Sequence, residues 1–296
     1  MPDTRTVARV LVDALRELGV RYVFGVPSGG WVDYMEVLRT TEGIEFILTT
    51  HEGAAGMMAD VCGRLGEAPG VCFGTFGPGA TNLATGVGGA LLDRSPMIAL
   101  TDEIAAPMRD RVTQMGIDHQ ALFEPLTKKT TRLRAEGVKS TLFDAARVAL
   151  DGRPGPVHVG LPVGLSAETA KTEDIVFTAP PPAPPADPGL LDEAKNLFAG
   201  ARKPILAVGL GAVQAKVRHE IQALATKHKI PVVLTPMAKG MVAEDDPSYA
   251  GVLFHALSDM VGETHSQADL VIGVGYDPVE FNYESWMPSA AALVSF

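Results

Sequence analysis

Two cysteines in 296 residues, Cys62 and Cys72, are too few to staple a fold. They show no C-x-x-C spacing and no companion Cys/His cluster, so neither a disulfide framework nor a structural zinc is indicated. They read as small apolar residues in a reducing compartment. Basic residues are in deficit, 25 Lys and Arg against 35 Asp and Glu, for a net charge of −10. That balance argues against a nucleic-acid or anionic-membrane surface, where clustered Lys and Arg must displace counterions. No apolar run nears the ~20 residues of a membrane span. The opening M-P-D-T-R-T lacks a basic-then-apolar leader. A soluble, cytoplasmic protein is expected, with no nucleic-acid and no membrane partner.

What is present is an apolar fraction of 46% and a length beyond one typical domain. Between residues 6 and 18, Val7, Val10, Leu11, Ala14, Leu15 and Leu18 recur at helical spacing, and Gly19 follows as a stop. Short apolar runs then alternate with helical patterns: Tyr22-Val23-Phe24, Phe46-Ile47-Leu48, Val71-Cys72-Phe73, Met97 to Leu100 and Val157-His158-Val159. That alternation predicts parallel strands covered by helices on both faces. Residues 178–188, T-A-P-P-P-A-P-P-A-D-P, hold too much proline for a helix or a central strand and read as a stiff linker. The βα alternation restarts beyond it. A helix is expected from Leu190, a strand at Ile205–Val208, a helix over Val213–Leu224, and strands at Val232–Leu234, Leu270–Val274 and Ala292–Val294. The expected division is a first domain over 1–170, a proline-rich linker over 171–188, and a second, incomplete domain over 189–296.

Three strand-to-helix junctions hold the candidate chemistry. Thr50-His51-Glu52 puts a carboxylate at a helix start, where capping is the simplest role. The four small residues that follow, Gly53 to Gly56, cost helix stability unless another surface must come close. Thr75-Phe76-Gly77-Pro78-Gly79 frees the backbone for a tight approach before a helix at Thr81-Asn82. The third junction is Gly25-Val26-Pro27-Ser28-Gly29. All three fall at the carboxyl ends of parallel strands, where open α/β sheets bind ligands. Among other polar residues, His51 reads as a site or a core histidine, Asp118-His119 as a loop near the site, and Lys128-Lys129 as a solvated pair. Gly209-Leu210-Gly211-Ala212 lacks the full spacing of a dinucleotide turn.

The order of these segments resembles the acetolactate synthase group of thiamine-diphosphate enzymes. The resemblance is carried by F-G-V-P-S-G-G (24–30), T-H-E-G-A-A-G-M-M-A-D (50–60) and T-F-G-P-G-A-T-N-L-A-T-G (75–86). D-R-S-P-M-I-A-L-T (93–101), L-F-E-P-L-T-K (122–128) and R-P-G-P-V-H-V-G-L-P (153–162) continue it. V-G-L-G-A (208–212) and D-L-V-I-G-V-G-Y-D-P-V-E (269–280) resemble that group's central domain. The resemblance implies an α/β fold of two doubly wound parallel-sheet domains, a pyrimidine-binding domain and a Rossmann-like central domain. It implies that Glu52 hydrogen-bonds the cofactor's aminopyrimidine ring and favours the tautomer that deprotonates the thiazolium carbon. Val26, Pro27 and Ser28 would line the ring, and Thr75, Pro78 and Asn82 would contact the cofactor from the adjoining loop.

This sequence departs from that group at several points. Gly53 stands where the group has Gln, Met57 stands where it has His, and Thr113-Gln114-Met115-Gly116 does not match its Phe-Gln-Glu segment. Neither Gly-Asp-Gly nor Asn-Asn occurs, the pair with which the group's third domain holds diphosphate and Mg²⁺. The expectation is therefore a subunit or fragment that supplies Glu52, with no metal ligands of its own. A partner diphosphate-domain subunit would hold the phosphates and Mg²⁺, in an α₂β₂ assembly paired through the pyrimidine domain. FAD, held by some relatives in the central domain, is the weaker expectation. The expected substrate is a 2-oxo acid, decarboxylated and ligated to a second carbonyl. A decarboxylase without ligation and a non-catalytic scaffold of the same fold are the rivals.

Overall fold

Val7, Leu11, Ala14 and Leu15 are all buried on one face of α1 (Val7–Glu17). The Thr6 side chain accepts from the Arg9 amide at its start, and Gly19, with φ +85°, turns the chain after its end. In this computed structural model, residues 5–111, 113–171, 173–253, 259–280 and 290–296 are described. The first four residues of the opening segment lie outside them. By internal packing the chain divides into Met1–Ala183 and Pro184–Phe296, a division that falls inside the proline-rich segment.

The first unit is a six-stranded, all-parallel sheet in the order β2-β1-β3-β4-β6-β5. The strands are β1 (Tyr22–Gly25), β2 (Glu45–Leu48), β3 (Gly70–Gly74), β4 (Met97–Glu103), β5 (Lys129–Arg132) and β6 (Pro156–Pro162). Strand side chains alternate between two cores, as the period of two requires. Val71, Phe73, Ile98 and Leu100 face α1, α2 (Val32–Arg39) and α6 (Val138–Leu150). Cys72, Met97 and Ala99 face α3 (Glu52–Leu65), α4 (Pro78–Leu92) and the short α5 (His119–Phe123). The helices thus lie on both faces of the sheet.

The small residues of α3 serve close packing on α4. A Cβ built on Gly56 would stand 2.8 Å from Gly86 Cα, and one on Gly86 would stand 2.6 Å from Gly56 Cα. Backbone meets backbone there, and the two helices carry their N-termini to the same edge of the sheet.

The second unit is a five-stranded parallel sheet, β11-β10-β7-β8-β9. It uses β7 (Pro204–Val208), β8 (Val232–Leu234), β9 (Tyr249–Val252), β10 (Leu270–Val274) and β11 (Ala292–Ser295). Its helices are α7 (Pro188–Gly200), α8 (Leu210–Gln214), α9 (Arg218–His228) and α10 (Asp259–Ser266). Asp187 caps α7 by accepting from the Gly189 and Leu190 amides. The single helix expected over Val213–Leu224 is corrected to α8 and α9, separated where Lys216 turns left-handed at φ 58°. Edge strand β5, Lys-Thr-Thr-Arg, carries no apolar run, and the short run of β9 is interrupted by Gly251 at φ +106°; neither was expected from periodicity. No described helix is long and apolar enough to cross a membrane.

Candidate functional site

Strands β1 to β4 are parallel, so the loops that follow them share one edge. The chain leaves β1 for β2 on one side and resumes with β3 on the other, which places the topological switch between β1 and β3. The Thr49 amide donates to the Gly25 carbonyl at 3.0 Å and ties the end of β2 to that of β1.

Glu52 is the first residue of α3 but not its cap. His51 caps the helix, its Nδ1 accepting from the Gly53 amide at 3.0 Å. His51 itself is exposed, which corrects its reading as a core histidine. The Glu52 carboxylate is left for other work. The residue is buried, at 7% exposure, and its Oε2 accepts from Asn82 Nδ2 at 3.0 Å. Asn82 reaches it from the first turns of α4, which begins at Pro78, earlier than the Thr81-Asn82 start expected from sequence.

The turn into α4 depends on its glycines. Gly77 has φ +68°, a region L side chains rarely adopt, and a Cβ there would stand 2.8 Å from Met115 Cβ and its carbonyl oxygen. A Cβ on Gly79 would stand 2.6 Å from Thr75 Cγ2 and 3.2 Å from Glu52 Oε1. Glycine therefore lets the α4 backbone close on Thr75 and on the carboxylate together. Thr75 is half-buried, and Pro78 is exposed at the first position of the helix.

Glu52, Thr75, Gly79 and Asn82 thus form one contact group. Ser28 belongs to another, its Oγ donating to Asp102 Oδ2 at 2.6 Å. Val26, half-buried, and Pro27, exposed, precede it in the loop after β1. Asp102 lies near the end of β4, 74 residues from Ser28, and no motif drew attention to it. Its signal was a polar end, Thr101-Asp102-Glu103, to a strand that begins as an apolar run. Burial pushes the Asp102 carboxyl up to about 6, against a smaller downward pull from the Ser28 hydroxyl. Burial and the nearby Asp102 and Asp33 also push the Tyr34 phenol up.

The Asp102 shift has a defined consequence for stability. A carboxyl that binds its proton more tightly when folded contributes stability below its unfolded value of about 3.9, and loses it as pH rises through the folded value. Asp102→Asn keeps an oxygen for Ser28 and removes the buried charge. The variant is expected to exceed the wild type in stability at pH 7.5, by on the order of 2 kcal/mol. Thermal unfolding of both proteins should show that margin shrinking as pH is lowered through 6 towards 4. A margin of zero or below at pH 7.5 would contradict the burial of an ionised Asp102.

Glu103, His119 and His158 are the one metal-ligand-like cluster among the described residues. The imidazole nitrogens are already engaged. His119 Nε2 accepts from the Gly77 amide at 3.1 Å and Nδ1 meets Thr101 Oγ1 at 3.0 Å. His158 meets Thr101 through Nε2 at 2.8 Å and Thr130 through Nδ1 at 2.6 Å. All four imidazole nitrogens of the cluster thus have hydrogen-bond partners. Asp118 caps α5 by accepting from the Gln120 and Ala121 amides. His119, expected in a loop, is a buried residue of that helix, only 2% exposed.

In the second unit, the turn after β7 is occupied from within. The Glu280 carboxylate accepts from the Leu210 amide at 2.9 Å and from Thr235 Oγ1 at 2.6 Å. A Cβ on Gly209 would stand 2.5 Å from it. The amide that a dinucleotide phosphate would use thus already has an anion.

The family model described as "Thiamine pyrophosphate enzyme, N-terminal TPP binding domain" matches residues 5–122. The one described as "Thiamine pyrophosphate enzyme, central domain" matches residues 191–296. An acetolactate synthase of Bacillus subtilis is 32% identical over 284 residues, covering 94% of this chain and 49% of the relative. A probable acetolactate synthase large subunit of Methanocaldococcus jannaschii is 32% identical, over 90% of this chain and 46% of its own length. The large subunit of acetolactate synthase isozyme 1 of Escherichia coli is 32% identical, over 91% and 48%. The chain spans about half the length of these relatives.

Proposed function

The chain belongs to the thiamine diphosphate (thiamine pyrophosphate) enzymes of the acetolactate synthase family, and from that membership we propose that it supplies the cofactor-activating half of a 2-oxo acid decarboxylase and carboligase. The observation that carries this reading is the Glu52 carboxylate, buried at the switch-point edge and oriented by Asn82. Asn82 takes one oxygen and leaves Oε1 beside the Gly77–Gly79 turn. A carboxyl so held can share a proton with a ring nitrogen, which is what an aminopyrimidine requires. Thiamine diphosphate, when bound, supplies the electron sink for cleaving the bond between a keto carbon and its carboxylate. The chain's part is to grip the aminopyrimidine between the Val26–Ser28 loop and the Thr75–Asn82 turn, exclude water there, and move a proton at Glu52.

The diphosphate end does not fit these residues. Mg²⁺ prefers several oxygen ligands in octahedral array, and the Glu103–His119–His158 cluster offers one carboxylate and two engaged imidazoles. Mg²⁺ and the phosphates are therefore assigned to a diphosphate-binding domain, either a separate subunit or a continuation of the chain. Steady-state assay of the completed enzyme with 2-oxo acids, with and without an acceptor carbonyl, tests the reaction class. Carbon dioxide release that depends on thiamine diphosphate, with a ligated product when the acceptor is present, is expected. Release of aldehyde alone would leave decarboxylation and remove ligation.

An apolar surface on α3 and α4 supports pairing of two copies within the proposed α₂β₂ assembly. Met57, Met58, Val61, Leu65 and Leu92 are 56, 44, 46, 77 and 60% exposed. Spacing of three and four residues along α3 puts several of them on one stripe. A second copy of the same domain is the proposed occupant, since a two-fold contact buries the same patch on both partners. Val61→Glu is expected to halve the mass measured by sedimentation equilibrium while the circular dichroism stays unchanged. An unaltered mass would remove this stripe from the interface.

A further inference from the structure

A chain of side-chain hydrogen bonds runs from the Gly77 turn to the far edge of the first sheet, through residues the proposed reaction does not use. Its direction is fixed at both ends. The Gly77 amide can only donate, and it does so to His119 Nε2. A ring nitrogen that accepts carries no proton, so the proton of neutral His119 lies on Nδ1 and is donated to Thr101 Oγ1. Thr101 then gives its own proton to His158 Nε2, and His158 Nδ1 donates to Thr130 Oγ1. Thr130 donates to Gln120 Oε1 at 2.8 Å. The Gln120 amide nitrogen donates to Glu103 and to the Thr131 carbonyl. Glu103, which can only accept, is also held by Arg132. Each step has one donor and one acceptor.

Thr101, His119 and His158 are almost fully buried, at 0, 2 and 0% exposure. Burial lowers both imidazoles, His158 to about 3. For His119, the acids Glu103 and Asp118 oppose that effect and Arg132 adds to it. Acceptance at His119 Nε2 requires an unprotonated nitrogen there, and burial favours the neutral form of both rings. Gly77 is buried as well, and an amide left without an acceptor there would pay the full cost of its desolvation.

We infer that His119 is a positioning residue, whose Nε2 holds the Gly77 amide and so keeps the Gly77–Pro78–Gly79 turn closed on Thr75 and Glu52, while Thr101, His158, Thr130 and Gln120 fix its tautomer. The inference rests on the cofactor reading of Glu52 for its functional consequence, but not for its structural one. Glutamine and asparagine separate the two ring nitrogens. The Gln oxygen reaches the place of Nε2, whereas the Asn oxygen reaches only that of Nδ1.

The test compares wild type, His119→Gln and His119→Asn in the completed enzyme, by hydrogen exchange of residues 75–83 and by the thiamine diphosphate concentration for half-maximal activity. His119→Asn is expected to raise exchange in that segment and to raise the half-saturating concentration about tenfold, the order of one lost hydrogen bond. The maximal rate should change less. His119→Gln is expected to return both quantities towards wild type. Equal behaviour of the two variants, or wild-type exchange in a folded His119→Asn, would overturn the inference. Should His119→Asn fail to fold, Thr101→Val keeps the shape of the side chain and removes the tautomer lock. Raised exchange in the same segment then supports the inference, and wild-type exchange overturns it. A wild type indifferent to thiamine diphosphate sinks the cofactor reading alone, and the exchange contrast still decides the role of His119.

Discussion

Glu52→Gln is expected to lower turnover of the completed enzyme by about 10²–10⁴-fold, the usual worth of a positioned general acid–base group. The fold should barely register the change. The glutamine oxygen can still accept from Asn82, and His51, not residue 52, caps α3. Only the capacity to hold and release a proton is removed. Steady-state kinetics at saturating cofactor, beside a melting curve, separates the two effects. A melting temperature near that of wild type with turnover reduced at least a hundredfold fits the account. Turnover within about threefold of wild type would take the proton-transfer role away from Glu52.

Gly86→Ala is expected to disable the first unit by a different route. The added Cβ would lie 2.6 Å from Gly56 Cα and 2.8 Å from its carbonyl carbon. Both are backbone atoms, so no side chain can rotate away, and the helices must separate. Overpacking of this kind costs about 1–3 kcal/mol, or several degrees in melting temperature. The separation propagates to the helix N-termini, where Glu52 and Asn82 meet, so cofactor binding should weaken too. Gly89→Ala, one turn on, is the control. A Cβ there meets nothing within 4 Å, and replacing a helical glycine with alanine favours the helix by up to about 1 kcal/mol. Opposite signs for the two substitutions in thermal unfolding are the expected result. A neutral Gly86→Ala would mean that the helices tolerate a wider spacing.

The strands were legible because parallel strands buried on both faces write themselves as continuous apolar runs. Val71-Cys72-Phe73 and Met97 to Leu100 are examples, their alternate side chains feeding two separate cores. β5, Lys-Thr-Thr-Arg at the sheet edge, carries no such run, and its Thr130 and Arg132 serve the hydrogen-bond chain instead. The run of small residues from Gly53 to Gly56 forecast a close approach, and Gly56 makes one against Gly86. Glu52 and Asn82 were drawn from separate motifs 30 residues apart, and they share a hydrogen bond.

The pairings hidden from sequence join different strands or the loops that follow them. Ser28 meets Asp102 across 74 residues, and His158 meets Thr101 across 57. No local period encodes such a meeting, because it depends on the order of strands in the sheet. His119 was visible only as a neighbour of Asp118. Its burial depends on α5 lying against the core formed by Phe123, Leu83 and Val87.

This chain is proposed to grip the pyrimidine end of thiamine diphosphate and to need another domain for the phosphates. Calorimetric titration of thiamine diphosphate with Mg²⁺ into the chain alone, and then with its diphosphate-binding domain present, tests it most directly. No measurable heat of binding is expected in the first titration, saturable binding in the second, and turnover in the second that falls with Glu52→Gln. Tight binding by the chain alone would contradict the division of the site, and silence in both titrations would contradict the cofactor itself.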